Sequence, residues 1–126
     1  MAFFFEKQKT ASTPYVLIDE AKGYIKLEGL CFHEKIVEFF IEIFDWLDVY
    51  LASDFNTLTF DCAINYFNSS TIKLLSNMLV KMDKAAGSSK KITVNWITTE
   101  DNDIMVECGK DFQEESADLE FNLVIQ

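Results

Sequence analysis

The sequence predicts a mixed α/β domain, a mixed β-sheet with helices packed on it, in the order ββαβαβαβ. Three observations predict this. Short apolar runs with strand character, such as Leu58–Phe67 and Lys91–Ile97, are bounded by turn residues. Longer stretches between them carry apolar residues at helical spacing. Strand and helix patterns alternate, and repeated strand–helix–strand units imply right-handed crossovers with helices against the sheet.

The elements follow in order. Met1-Ala2-Phe3-Phe4-Phe5-Glu6-Lys7 is apolar but too short for a signal peptide or a membrane span. Residues 1–12 are expected to be a flexible arm, with an edge contact as the alternative, and residues 13–126 a single domain. Tyr15-Val16-Leu17-Ile18 and the alternating Tyr24–Gly29 read as a hairpin across the turn Asp19–Gly23. Residues 33–53 read as a helix whose core face holds Ile36, Phe39, Phe40, Ile43, Trp46, Leu47, Tyr50 and Leu51, with Ile41 and Val49 outside it. Thr57–Phe67 is a strand expected inside the sheet. Residues 70–86 form the second helix, with Ile72, Leu75, Met78, Leu79, Met82 and Ala86 inward and Lys73, Asn77, Lys81 and Lys84 outward. Gly87-Ser88-Ser89 closes it. Lys91–Ile97 is a strand, Glu100–Phe112 an acidic helix with Ile104, Cys108 and Phe112 on one face, and Leu119–Ile125 the last strand.

Composition narrows the function classes. The chain has 126 residues, 49% of them hydrophobic, so it forms one domain with a sizeable core. A net charge of −10 argues against nucleic acid and against anionic lipid surfaces. Cys31, Cys62 and Cys108 are widely spaced and odd in number, which fits reduced thiols in a cytoplasmic protein. With His33 the single histidine, a zinc site is not expected. Glu100, Asp101, Asp103 and Glu107 lack the spacing and glycine of a calcium loop and suit the start of a helix instead. No glycine-rich phosphate loop and no nucleophile–base arrangement occurs, so no cofactor and no catalytic centre are expected.

One segment carries more. Tyr66-Phe67-Asn68-Ser69-Ser70-Thr71 lies where a strand gives way to a helix. Side-chain oxygens there serve as N-caps for the unpaired N–H groups of the first turn. The same N–H groups and the helix dipole stabilise a phosphate. Asn68, Ser69 and Ser70 are therefore a cap and a candidate switch loop at once. Three hydroxyls exceed what capping needs.

Several dispersed pieces, in order and spacing, resemble the SiaC-type regulatory phosphoproteins, a family of small bacterial proteins. They are Thr13-Pro14, Gly29, Trp46-Leu47 with Tyr50-Leu51, Tyr66-Phe67-Asn68-Ser69-Ser70 with Lys73-Leu74-Leu75, Val94-Asn95-Trp96, Asp101 to Asp103, Gly109, and Asp111-Phe112. The resemblance implies a fold like that of the STAS domains, or anti-sigma-factor antagonists. It implies reversible phosphorylation in the Asn-Thr-Ser-Ser segment, where the family's threonine matches Ser69, with Ser70 and Thr71 as rival acceptors. It implies a kinase of the histidine-kinase ATPase type, a PP2C-like phosphatase, and an output protein such as a diguanylate cyclase, bound by the unphosphorylated form.

The chain departs from the family at two places. Ser69 stands for threonine. Leu30-Cys31-Phe32-His33-Glu34 replaces the family's Ser-Tyr-Pro-Glu-Asn run after the glycine. The expected function is a non-enzymatic phospho-switch in a partner-switching pathway connected to c-di-GMP regulation. The alternative is a STAS-like module that binds a nucleotide or an anion at the same helix end.

Overall fold

The computed structural model describes residues 2–87 and 89–126. Met1, part of the expected arm, and Ser88, part of the expected helix closure, lie outside the described residues. A six-stranded sheet runs in the order β1 (Phe4–Lys7), β2 (Tyr15–Asp19), β3 (Tyr24–Cys31), β4 (Thr57–Phe67), β5 (Lys91–Thr98), β6 (Glu120–Ile125). The first three strands pair antiparallel and β3 to β6 pair parallel. The mixed sheet is as expected, and β4 lies inside it. Parallel strands in sequential order, with the right-handed connections usual for such units, put the helices on one face of the sheet, and β4 and β5 bury one face.

The order differs from ββαβαβαβ at two points. Phe4–Lys7, expected within an arm, forms an edge strand, with Phe4 opposite Asp19 and Lys7 opposite Val16. Four residues are too few for alternation to be read, and the partner strand supplies the order. The first helix is divided into α1 (Ile36–Phe39) and α2 (Ile41–Leu51). At the break, the Phe40 N–H lies within reach of the carbonyls of both Ile36 and Val37, the tightening typical of a 3₁₀ turn. Phe40 itself is fully buried, so packing holds the kink. The expected core face is otherwise correct: Ile36, Ile43, Trp46 and Leu47 are buried, while Ile41 and Val49 are exposed.

α3 (Ser69–Ala85) begins and ends one residue earlier than expected. Its C-cap is Ala86, in extended conformation. Near that end the Asp83 carboxylate accepts from the backbone N–H groups of Ala117, Asp118 and Leu119, tying α3 to the chain that leads into β6. Burial alone would raise the Asp83 pKa, but the three amide donors outweigh it and hold the carboxyl below its usual range.

α4 (Asp103–Glu115) is shifted three residues from Glu100–Phe112 because Asn102, not Glu100, caps it. Its buried stripe is also different. Ile104 is exposed, Cys108 and Phe112 are half-buried, and the buried positions are Met105 and Gly109. The reason lies in the glycine. A Cβ on Gly109 would stand 2.6 Å from Trp96 Cδ1, so only glycine lets the helix sit so close to β5. Hydrophobic periodicity does not register a glycine as a packing surface.

Candidate functional site

The geometry of the Asn68–Thr71 segment begins with an irregularity two strands long. Gly29 pairs with Ile64 and Leu30 with Tyr66, so Asn65 is an extra residue in β4. Gly29 has φ +116°, a conformation open to glycine and rarely to other residues. The bulge frees the Asn65 carbonyl from the ladder and re-aims the end of β3. β4 pairs with β5 only as far as Cys62 and Trp96, so the two strands part toward their carboxyl ends. α3 starts from the end of β4 and α4 from the end of β5.

At that end Asn68 is the N-cap of α3, with ψ 177°, and its Oδ1 accepts from the Thr71 N–H at 2.9 Å. The Asn68 side-chain amide donates to the Phe32 carbonyl at 3.4 Å. Ser69 is the first helical residue and Ser70 the second. Both are exposed. Their backbone N–H groups belong to the first turn, which has no intrahelical acceptors to offer. The first turn holds no acidic residue. Lys73, one turn on from Ser69, is exposed.

Thr71 is different from its neighbours. It is fully buried, and its hydroxyl lies 2.8 Å from both the Cys31 carbonyl and Asn68 Oδ1. Its single proton serves one of these at a time. The role is structural: it clips α3 to the end of β3. Cys31 lies alongside, with its Sγ 3.5 Å from the Thr71 hydroxyl. Burial pushes the Cys31 thiol up to about 11, a little offset by Thr71, so it is not a thiolate nucleophile at neutral pH.

The departure Leu30–Glu34 lies against this segment. The N–H groups of Phe32 and His33 both donate to the Ser12 carbonyl. The Phe32 ring meets Tyr66 edge to face with centroids 5.5 Å apart. Leu30, Phe32 and Tyr66 are all exposed, 38%, 39% and 56%. An apolar patch therefore borders the exposed hydroxyls. Sequence reasoning named the loop but not this pair, because an edge-to-face contact between two strand ends has no periodic signal.

Acidic residues at the start of α4 lie beside the end of β4. Asn65, Thr99, Asp101, Asn102, Asp103 and Ile104 line an open cleft where β4 and β5 separate. The Asn102 side chain accepts from the Met105 N–H and donates to the freed Asn65 carbonyl at 2.9 Å. His33 accepts from the Lys35 N–H through Nδ1 at 3.0 Å.

The structure is a two-layer α/β domain with asparagine-capped helices starting at the carboxyl edge of its sheet and exposed hydroxyls in the first turn of α3. Residues 7–126 match the model of the SiaC family regulatory phosphoproteins, and the chain belongs to that family. It is similar to apo-SiaC from Pseudomonas aeruginosa, with a TM-score of 0.83 and 25% identity over 98% of each chain. It is similar also to SiaC as the activator in complex with the diguanylate cyclase SiaD from Pseudomonas aeruginosa, with a TM-score of 0.82 and 27% identity over 97% of this chain and 98% of that one. An uncharacterized protein from Pseudomonas aeruginosa strain UCBPP-PA14 is 27% identical over 117 residues, 93% of this chain and 90% of that one. Among the described residues, no helix is long and apolar enough to cross a membrane.

Proposed function

We propose that this chain is a non-enzymatic switch whose unphosphorylated form binds and regulates a diguanylate cyclase, and that phosphate on Ser69 ends the binding. The observation that carries the reading is the first turn of α3. It offers an exposed hydroxyl at its first position, beside unpaired N–H groups and with no fixed negative charge. Membership in a regulatory phosphoprotein family and the likeness to a cyclase activator support the same reading. Ser70 is the remaining rival acceptor. Thr71 would have to leave its buried position to meet a kinase.

The mechanism rests on an asymmetry. Phosphorylation adds about −1.5 to −2 charges. In the free protein the helix N-terminus and Lys73 stabilise that charge. Covered by a partner that also covers Phe32 and Tyr66, the same dianion loses its water and costs several kcal/mol. A difference of about 3 kcal/mol changes affinity more than a hundredfold. A kinase of the histidine-kinase ATPase type adds the phosphate and a PP2C-like phosphatase removes it. A nucleotide- or anion-binding role at the same helix end is less well supported, because it has only the helix N-terminus behind it, whereas the family and the likeness to a cyclase activator favour the switch.

Phosphopeptide mapping after reaction with the cognate kinase tests the assignment. Phosphate is expected on Ser69. Phosphate on Ser70 would move the site and keep the switch. An absence of modification at both would end the reading.

A further inference from the structure

We infer a second docking surface, at the end of the sheet away from Ser69, that takes an arginine side chain from a partner protein. Ser69 follows the carboxyl end of β4. The 3₁₀ turn Glu20–Lys22 precedes the amino end of β3, so the two sites are separated by about the length of the eight-residue strand β3, or about 25 Å. Beside that turn lies a hollow of about 400 Å³ lined by Phe3, Glu20, Glu42, Asp45, Trp46 and Val49.

The hollow has apolar walls held in place by a hydrogen-bonded carboxylate. Glu20 accepts from the Trp46 indole N–H at 2.9 Å and from the Phe3 backbone N–H at 3.3 Å. The Phe3 and Trp46 rings stack with centroids 6.5 Å apart, and Tyr50 covers the far side of Trp46 at 4.8 Å. Phe3 is 40% and Val49 73% exposed, although both are large and apolar.

Charge identifies the occupant. Glu42 and Asp45 are three apart on α2, which puts their side chains on one face with Cβ atoms about 5–6 Å apart. The ion pairs among the described residues are Lys26–Glu28, Lys81–Asp48 and Lys110–Glu107, so Glu42 and Asp45 are not neutralised by any of them. An apolar floor below two unneutralised carboxylates matches an aliphatic stem carrying a cationic head. Arginine fits better than lysine: its planar fork can engage both carboxylates, and it gives up water more readily. All eleven basic residues of this chain are lysines, so a second copy cannot supply the guanidinium. The occupant is an arginine-bearing segment with apolar neighbours, on another protein. Binding there leaves Ser69 uncovered and does not depend on its phosphorylation.

The test is an NMR titration of the full chain with a capped nonapeptide of alternating leucine and arginine. The Trp46 indole N–H is the reporter. The Trp96 indole N–H, bonded to the buried Met105 carbonyl, is the internal control. A saturable shift of Trp46 with Trp96 unmoved is expected. The Glu42→Gln/Asp45→Asn double variant should bind at least tenfold more weakly, while Glu107→Gln/Asp111→Asn, with the same change in net charge, and Ser69→Asp bind as the parent does. A peptide with citrulline in place of arginine should not bind. The inference is overturned if Trp46 shows no saturable shift, if citrulline binds equally, or if both charge-neutralised pairs lose affinity alike. Loss of binding in Ser69→Asp would overturn the independence of the two sites. None of these outcomes bears on whether Ser69 is phosphorylated.

Discussion

α3 and α4 are capped in the same way and differ in charge at the first helical position. Each starts past the carboxyl end of a parallel strand, and each is capped by an asparagine. The asparagine oxygen accepts from the third N–H of the helix, Thr71 in one and Met105 in the other. The asparagine amide reaches across to the neighbouring strand end, to the Phe32 carbonyl in one and the Asn65 carbonyl in the other. At the first helical position, however, α4 has Asp103 and α3 has Ser69. Asp103 complements its helix dipole permanently. In α3 that charge is missing, and the residue present is one to which a phosphate can be attached. The comparison teaches that α3 needs no side-chain charge to fold, so the first position is available for a reversible one.

Variants that break this comparison differ in size. The largest effect is expected from Ser69→Ala, which should abolish phosphorylation by the proposed kinase, read by intact mass. Because Asn68 is the cap, the same variant should change stability by less than about 0.5 kcal/mol. Next comes Thr71→Val, which removes the buried hydroxyl and leaves the Cys31 carbonyl without its side-chain donor. It should cost about 1–3 kcal/mol in urea melts while phosphorylation of Ser69 proceeds. A third pair, Asn68→Ala and Asn102→Ala, should each cost about 0.5–2 kcal/mol. If only one of them destabilises, the two starts are not equivalent. The smallest effects concern charge. Asp103→Asn should lose, and Ser69→Asp gain, about 0.3–1 kcal/mol, both shrinking as salt is added.

Much of this was legible in the sequence. The strand–helix boundary at Asn68 was clear because an eleven-residue alternating run ends in turn formers, and the core face of α2 was clear because large apolar residues mark it. Thr71 was harder to place. Read as a hydroxyl, it joined Ser69 and Ser70. Read by phase, it precedes Leu75, Met78 and Met82 in the buried stripe of α3, and the structure buries it with them. The start of α4 is illegible in the sequence for a different reason. Glu100 and Asp101 resemble a first turn in composition, but the tie between Asn102 and the Asn65 carbonyl decides where the helix begins. That tie depends on a bulge in β4 that only strand pairing reveals. Contacts such as Phe32 with Tyr66, made between segments distant in sequence, left no local trace.

The central claim is that a charge placed at the first position of α3 changes what the protein binds. The most direct measurement is the affinity of the chain for the proposed diguanylate cyclase partner, compared between unmodified protein and protein carrying phosphoserine at position 69, with stoichiometry confirmed by mass. The account predicts that the unmodified form binds and that phosphorylation weakens the affinity by a hundredfold or more. Equal affinities for the two forms would contradict it.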